Sequence, residues 1–315
     1  MSKINIRSDY LVVLVGTYNR LELLKKVIDA IHAQTRCSHE IIVIDGGSTD
    51  GTVEYLQSRQ DVTPVFQGKL LGASRAYNEV WRQVECKYTC WLSDDTELAN
   101  HGLDLAVRLL ETDSEIGMVG LKTKDVVGPW IDLPYTGALS EYGILNCNHG
   151  VLSMELLSSV GYFNQDYKTY LIDPDLTASV LCAGKKVVMT KDICVRHHRE
   201  WADENWENKV QGTMNGIDHY QIYLDKFSFV QKRALPERIR KWIGRAMSLP
   251  LLGDVLMKFM QLNSRDWLNL TGGRFISPLD VVQNRHNPYH NVQRIPQDVL
   301  KREHNPYKHL LQENV

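Results

Sequence analysis

The stretch "YTCWLSDDTEL", residues 88–98, runs an apolar, strand-forming segment straight into two adjacent carboxylates, Asp94 and Asp95. Like charges side by side repel, so a folded chain seats them together only with positive charge close by. A cation is the expected neutraliser. Hard divalent ions such as Mg2+ and Mn2+ prefer oxygen ligands and commonly use one or two carboxylates, with substrate phosphates and water completing the shell. An isolated Asp-Asp pair serves equally well as a solvated helix cap. Its position at the end of a strand favours the ligand reading.

Upstream, short apolar runs alternate with helix-period segments. "YLVVLV" reads as a first strand ending at Gly16-Thr17-Tyr18-Asn19, after which Leu23, Leu24, Val27, Ile28 and Ile31 mark one face of a helix. "EIIVI" is a second strand, stopped by "DGGSTDGT", where Thr49 or Asp50 is expected to cap a helix carrying Val53 and Leu56. "PVF" is a short third strand, "GASRAYNEVWRQV" a helix, and "YTCWL" the fourth strand. This alternation predicts an α/β fold, an open and mostly parallel sheet covered by helices. Ligands in such sheets bind beyond the carboxyl ends of the strands. Thr17 with Tyr18, Asp45 with its two glycines, and Asp94 with Asp95 are therefore expected on one rim.

Farther along, "VVGPWIDLPYTG" reads as loop or short strand and "LNCNHGVLSM" leads into a helix. "DPDLTASVLCAG" reads as a helix ending at Gly184, followed by "KKVVMT" and "ICVRHH" as two short strands. Asp173 and Asp175 flank Pro174 at that helix start. One acid suffices as a cap, which leaves the other for general-base work. In "CVRHH", imidazole suits Mn2+ and Arg196 suits phosphate.

The bulk numbers set limits. With 315 residues, 43% hydrophobic and 23% charged, the chain can bury a large core, and a net charge of −2 gives no reason to expect nucleic acid. "MSKINIRSDY" is not a signal peptide and no apolar run is long enough to span a bilayer, so a cytoplasmic protein is expected. The six cysteines are expected to be reduced, with Cys86 and Cys90 as core filler rather than a zinc pair. Residues 231–260 are basic and apolar together, which predicts an amphipathic helix pair broken near Pro250. Two readings stay open for it: a surface helix on an anionic membrane, or a hairpin packed on the catalytic domain or on a second subunit. "HNPY" occurs at 286–289 and at 304–307, and reads as two Asn-Pro turns.

The motifs "VGTYNR", "EIIVIDGGSTDGT", "GASRAYN", "WLSDDTEL", "VGYF" and "IDPDLTASVLCAGKKV", in that order, resemble a family-2 glycosyltransferase of the GT-A fold over residues 10 to about 200. The resemblance implies an inverting, metal-dependent transfer of sugar from a nucleotide-diphosphate sugar to an acceptor hydroxyl, in the synthesis of cell-surface polysaccharide or glycoconjugate. It makes Thr17, Tyr18, Asp45 and Asp94 donor-binding positions, to which the charge of Lys69 adds a candidate. It makes Asp95 and His197 (or its neighbour His198) metal positions for Mn2+ or Mg2+, and Asp173 the base. Lys69 and Arg75 are cations near the diphosphate, with Arg75 expected to be solvated on its helix face. Many relatives carry a second acid after the position of Asp45, where this chain has Gly46, and a Glu before the base, where it has Ile172. Asp173 thus carries the base assignment, with Asp175 in reserve. UDP is the first expectation for the nucleotide, with GDP and dTDP as alternatives, and the acceptor is a saccharide or lipid-linked saccharide. The expected division is a catalytic domain at 1–225 and a helical extension with a polar tail at 226–315, which provides peripheral contact with the inner face of the membrane or a homo-oligomer contact. A sugar nucleotidyltransferase and a catalytically inactive sugar-nucleotide-binding relative are the competing readings.

Overall fold

The computed structural model describes residues 6–127, 144–145, 147–167, 171–198, 219–230 and 285–314. Strand β1 (Ile6–Arg7) pairs in parallel with β5 (Val84–Glu85) as a separate ribbon. The four expected strands are present as β2 (Leu11–Thr17), β3 (His39–Asp45), β4 (Thr63–Phe66) and β6 (Tyr88–Ser93). They are joined by β7 (Thr96–Leu98), β8 (Ile116–Asp125), β9 (Gly150–Ser153), β10 (Lys186–His197) and β11 (Tyr289–Gln293). Among the described residues the main sheet runs β11-β10-β8-β9-β6-β2-β3-β4, with β7 paired to β10. Pairings β4/β3, β3/β2, β2/β6 and β8/β10 are parallel; β9 is antiparallel to both its neighbours, and β11 and β7 are antiparallel to β10.

Both faces are covered, which is why β2 and β3 read as continuous apolar runs rather than alternating ones. Leu11, Val13 and Val15 face a core with Leu24, Val27, Ile28 and Ile31 of α1 (Leu21–Gln34) and Leu103 of α4 (Gly102–Thr112). Val12 and Leu14 face a second core with Trp81 of α3 (Ala73–Trp81), Leu157 of α5 (Met154–Ser159) and Leu176 of α6 (Ile172–Cys182). Between the cores and the rim, one carboxylate starts two helices. Asp50 accepts from the Leu21 N–H at 3.0 Å and from the Thr52 N–H at 3.2 Å, so it satisfies the first N–H of both α1 and α2 (Thr52–Ser58). Gly51 holds the N-cap position of α2, so neither Thr49 nor Asp50 is its N-cap residue, and Asp50 reaches the Thr52 N–H from the residue before the cap.

"KKVVMT" and "ICVRHH" form a single strand rather than two. The polar stretch Thr190-Lys191-Asp192 is held by its neighbours: the Lys122 N–H donates to Thr190 Oγ1 at 2.9 Å, and the Lys191 N–H to the Pro288 carbonyl at 3.0 Å. Its register against β8 shifts between Met189 and Ile193, so the strand bends without ending. The second "HNPY" is a turn, in which the Tyr307 N–H donates to Asn305 Oδ1 at 3.0 Å. The first leads into β11 at the sheet edge. Residues 128–143, most of the "VVGPWIDLPYTG" stretch, and the 231–260 segment lie outside the described residues.

The chain end packs back onto α6. Asn305 donates to the Cys182 carbonyl at 2.9 Å, and the Tyr307 hydroxyl donates to Ser179 Oγ at 2.7 Å. Asp175 is enclosed in the same network, 2.7 Å from Lys226 Nζ of α7 (His219–Phe227) and 3.1 Å from the Tyr167 hydroxyl. It is 1% exposed, which removes it as a reserve base on the rim. Burial works against the charge of Lys226, but Asp175 and Tyr307 outweigh it, so the lysine pKa lies above its ordinary value.

Two stability experiments follow from this packing. Lys226→Ala leaves a buried carboxylate unpaired and is expected to cost about 3 kcal/mol in urea unfolding, whereas Arg75→Ala should stay within about 0.5 kcal/mol. Arg75 is 62% exposed, as expected, and among the described residues pairs with Glu79 on its own helix at 2.8 Å. Gly47 has φ +93°, and a Cβ there would lie 2.7 Å from the backbone carbon of Gly68. Gly47→Ala combines a left-handed backbone with a clash against main chain, so a loss of at least about 2 kcal/mol is expected in the same assay. A neutral result would mean that the two loops are not packed as described.

Candidate functional site

The three polar clusters expected on one rim meet there because their strands end in register. Gly16 of β2 pairs with Ser93 of β6, and Thr17 pairs with Asp45 of β3. The strands are propped at this level by Tyr77 of α3, whose hydroxyl accepts from the Gly16 N–H at 2.9 Å and donates to the Leu92 carbonyl at 2.5 Å. A Cβ at Gly16 would lie 2.8 Å from that hydroxyl, so the close approach requires glycine. The chain beyond Ser93 then turns Asp94 and Asp95 into the opening.

Both acids are buried, 5% and 8% exposed, and each is held by several donors. Asp94 Oδ2 accepts from Thr17 Oγ1 at 2.9 Å and from the Tyr18 N–H at 3.4 Å. Asp95 accepts from Ser93 Oγ, and its Oδ1 lies 3.4 Å from His197 Nε2. Arg20 bridges the pair: its Nη1 is 3.1 Å from Asp94 Oδ1 and 3.2 Å from Asp95 Oδ2. Burial pushes the Asp94 pKa up, with Asp95 adding to the effect and Arg20 and Thr17 opposing it. Burial also opposes the charge of Asp95, but His197, Ser93 and Arg20 outweigh it and hold that carboxyl well below the usual range. The neighbouring acids are thereby driven apart, as two like charges in one site must be.

His197 reaches Asp95 because β7, the strand that follows the acids, pairs back on β10 with Thr96 opposite His197. Its Nδ1 is 3.0 Å from Asp125 Oδ1 at the end of β8. Burial lowers its pKa, and the two flanking carboxylates more than reverse this, so the net shift is upward. His149 packs edge-on at 6.4 Å between ring centroids; burial and the charge of His197 bring its pKa down to about 4, so it is neutral at pH 7. His198 turns the other way, to Glu97 at 2.8 Å, and Arg196 also pairs with Glu97 at 3.1 Å.

The remaining expected residues lie on separate elements. Tyr18 is 42% exposed on the rim. Asp45 is turned into its own loop, accepting from the N–H groups of Gly47 at 3.0 Å and Ser48 at 3.1 Å. Lys69 is exposed in the loop that packs on Gly47. Asp173 stands half-buried in the first turn of α6, close enough to Cys147 to help raise that thiol's pKa, which burial takes to about 12. Sequence reasoning missed Arg20, Ser93, Asp125 and His149. Only Arg20 left a trace there, as the basic residue closing "VGTYNR".

The donor set fits a hard divalent cation. Asp95 presents carboxylate oxygen beside His197 Nε2, and Asp125 on Nδ1 orients that ring in the manner of a carboxylate behind a metal-binding histidine. Among the described residues no group of three or more His, Cys, Asp or Glu side chains forms a complete cage, so substrate oxygens and water would have to fill the shell.

The family model described as glycosyl transferase family 2 matches residues 12–146. Two relatives are uncharacterised glycosyltransferases. One, from Nostoc sp., is 26% identical over 34% of this chain and 34% of its own length. The other, from Rickettsia prowazekii, is 28% identical over 40% of this chain and 37% of its own. The chain thus spans about a third of the length of the curated relatives it matches. Among solved structures, S. aureus TarS 1–349 in complex with UDP-GlcNAc aligns with a TM-score of 0.52 at 14% identity, covering 83% of this chain and 89% of that one. A second structure of S. aureus TarS 1–349 aligns with a TM-score of 0.50 at 16% identity, over the same shares of the two chains. Among the described residues no helix is long and apolar enough to cross a membrane. The motif order, the family match and the sheet topology agree: over residues 12–146 this chain is similar to glycosyl transferase family 2, on a fold of the GT-A type.

Proposed function

We propose that the protein is an inverting, divalent-metal-dependent glycosyltransferase that moves a sugar from a nucleotide-diphosphate sugar to an acceptor hydroxyl. The observation that carries this reading is the buried pair Asp94 and Asp95 at the end of β6, flanked by Thr17, Arg20 and His197. Asp95 and His197 would hold Mn2+ or Mg2+, with Asp94 beside them. When bound, the ion supplies Lewis-acid neutralisation of the departing diphosphate. Thr17 and the Tyr18 N–H fix Asp94 in place, and Asp125 fixes the imidazole.

Tyr18 offers an exposed ring for a base, Asp45 shapes the glycine turn beside it, and Lys69 brings a cation to the same loop. The carboxylate of Asp173 takes the proton of the acceptor hydroxyl as its oxygen bonds to the anomeric carbon and the bond from that carbon to the diphosphate breaks. A base so placed is worth roughly 10²- to 10⁴-fold in rate. UDP is the first choice of nucleotide, with GDP or dTDP as alternatives; the similarly folded TarS segment in complex with UDP-GlcNAc supports that order. The acceptor is a saccharide or lipid-linked saccharide in polysaccharide or glycoconjugate synthesis at the inner face of the membrane. In this reading residues 1–225 are the catalytic unit, and the extension from 226 supplies membrane or self-association contacts.

Calorimetric titration with UDP, GDP, dTDP and CDP, with and without Mn2+, tests the reading directly. One nucleotide is expected to bind in a metal-dependent way. Asp95→Ala is expected to abolish that dependence, whereas Asp173→Asn should keep nucleotide binding and lose transfer by about 10²-fold or more. Full transfer activity in Asp173→Asn would remove the base assignment, and absence of binding by every nucleotide would remove the proposal.

A further inference from the structure

The turn after β3 begins with a carboxylate that it does not present to the rim. Asp45 is 1% exposed, and its oxygens accept from the N–H groups of Gly47 at 3.0 Å and Ser48 at 3.1 Å. The next residue, Gly46, is not among the glycines with positive φ, so its backbone conformation does not call for glycine. Space does. A Cβ on Gly46 would lie 2.8 Å from Leu70 Cδ2 and 3.6 Å from Tyr18 Cδ2. Leu70, from the loop between β4 and α3, takes the room that a side chain at position 46 would need, and it stands with Tyr18 on either side of the same point.

Both side chains are also open to solvent, Leu70 at 63% and Tyr18 at 42%. Their spacing is set by main chain. The Gly46 N–H donates to the Thr17 carbonyl at 3.0 Å and the Gln67 N–H to the Asp45 carbonyl at 2.9 Å, so the loops after β2, β3 and β4 are tied in series. The Tyr18 N–H donates to Asp94 at 3.4 Å, which puts this apolar corner directly beside the buried acids. An exposed aromatic ring and an exposed aliphatic side chain next to a polar centre form the kind of wall that a ligand covers. The group that covers it must have an apolar face and be joined to whatever sits at the acids. A nucleobase meets both conditions, since it stacks through its π-face and is tethered through its ribose to the diphosphate.

Resting on the function proposed above, we propose that Leu70 is a donor-positioning residue: with Tyr18 it forms the wall against which the nucleobase packs, and Gly46 is small so that Leu70 can reach that place. The base is then held by apolar contact at this edge, with Asp45 retained for the turn. Nucleotide affinity depends on Leu70, while the affinity for a diphosphate that carries no base does not.

The test is calorimetric titration at saturating Mn2+ with whichever of UDP, GDP, dTDP and CDP binds the wild type, and in parallel with inorganic diphosphate. Leu70→Ala is expected to lose roughly fivefold in nucleotide affinity and to keep its diphosphate affinity within about twofold. Leu70→Met, which restores apolar surface of similar volume, should recover most of the loss. Gly46→Ala pushes Leu70 out of place and should weaken nucleotide binding by a similar factor, yet add little when residue 70 is already alanine. The exposure of Leu70 makes its variants unlikely to disturb folding. Wild-type nucleotide affinity in Leu70→Ala, an equal loss for nucleotide and diphosphate, or full additivity with Gly46→Ala would each overturn the role of Leu70 while the transferase reading stands. If the wild type binds none of the nucleotides, both fall.

Discussion

The structure depends on keeping two adjacent carboxylates ionisable inside a protein. Asp94 and Asp95 follow β6 into a buried rim where each must find donors, and the surrounding architecture is arranged to provide them. β2 delivers Thr17 and the Tyr18 N–H from one side. The β7–β10 pairing delivers His197 from the other, and the start of α1 delivers Arg20 across the opening. Removing any one of these elements would take a donor from a buried charge, which is costly in a folded protein.

The same constraint accounts for the local backbone. The parallel strands β2 and β6 stay paired up to Gly16 and Ser93, and the Tyr77 hydroxyl bridges the last N–H and carbonyl before they part. Beside it, the Asp45 carboxylate accepts from its own glycine turn, and Gly47 packs so close to Gly68 that the loops after β3 and β4 form one packed layer. The rim is thus built from loops locked to each other beneath an opening where, among the described residues, the partly exposed Arg20 contacts both acids.

Much of the fold was legible because two-sided burial leaves long apolar runs. "YLVVLV", "EIIVI" and "YTCWL" are strands for the same reason that they are hydrophobic throughout, and the faces of α1 follow from its spacing. The site was legible to the extent that motifs end strands, which placed Thr17, Asp45, Asp94 and Asp95 on one rim. What local pattern could not express were contacts made across long separations. Arg20 meets acids more than seventy residues away, and Asp125 meets a histidine equally distant. The polar break in β10 reads as a loop until β8 and β11 supply its hydrogen bonds. Asp173 and Asp175 look alike in sequence, yet the helix turns one toward the half-exposed end and the other into a network with Lys226 and Tyr167.

That network gives the chain end a place in the argument about the site. Asp175 lies two residues from Asp173 on α6 and pairs with Lys226 of α7 and with Tyr167, while Ser179 on the same helix receives Tyr307 from the far end of the chain. The helix that presents Asp173 is therefore held from behind by segments some fifty and more than a hundred residues away in sequence. Buried polar networks of this kind are costly when incomplete and specific when complete, so they fix an orientation more tightly than apolar packing alone. The position of Asp173 at the first turn thus depends on segments distant from it in sequence.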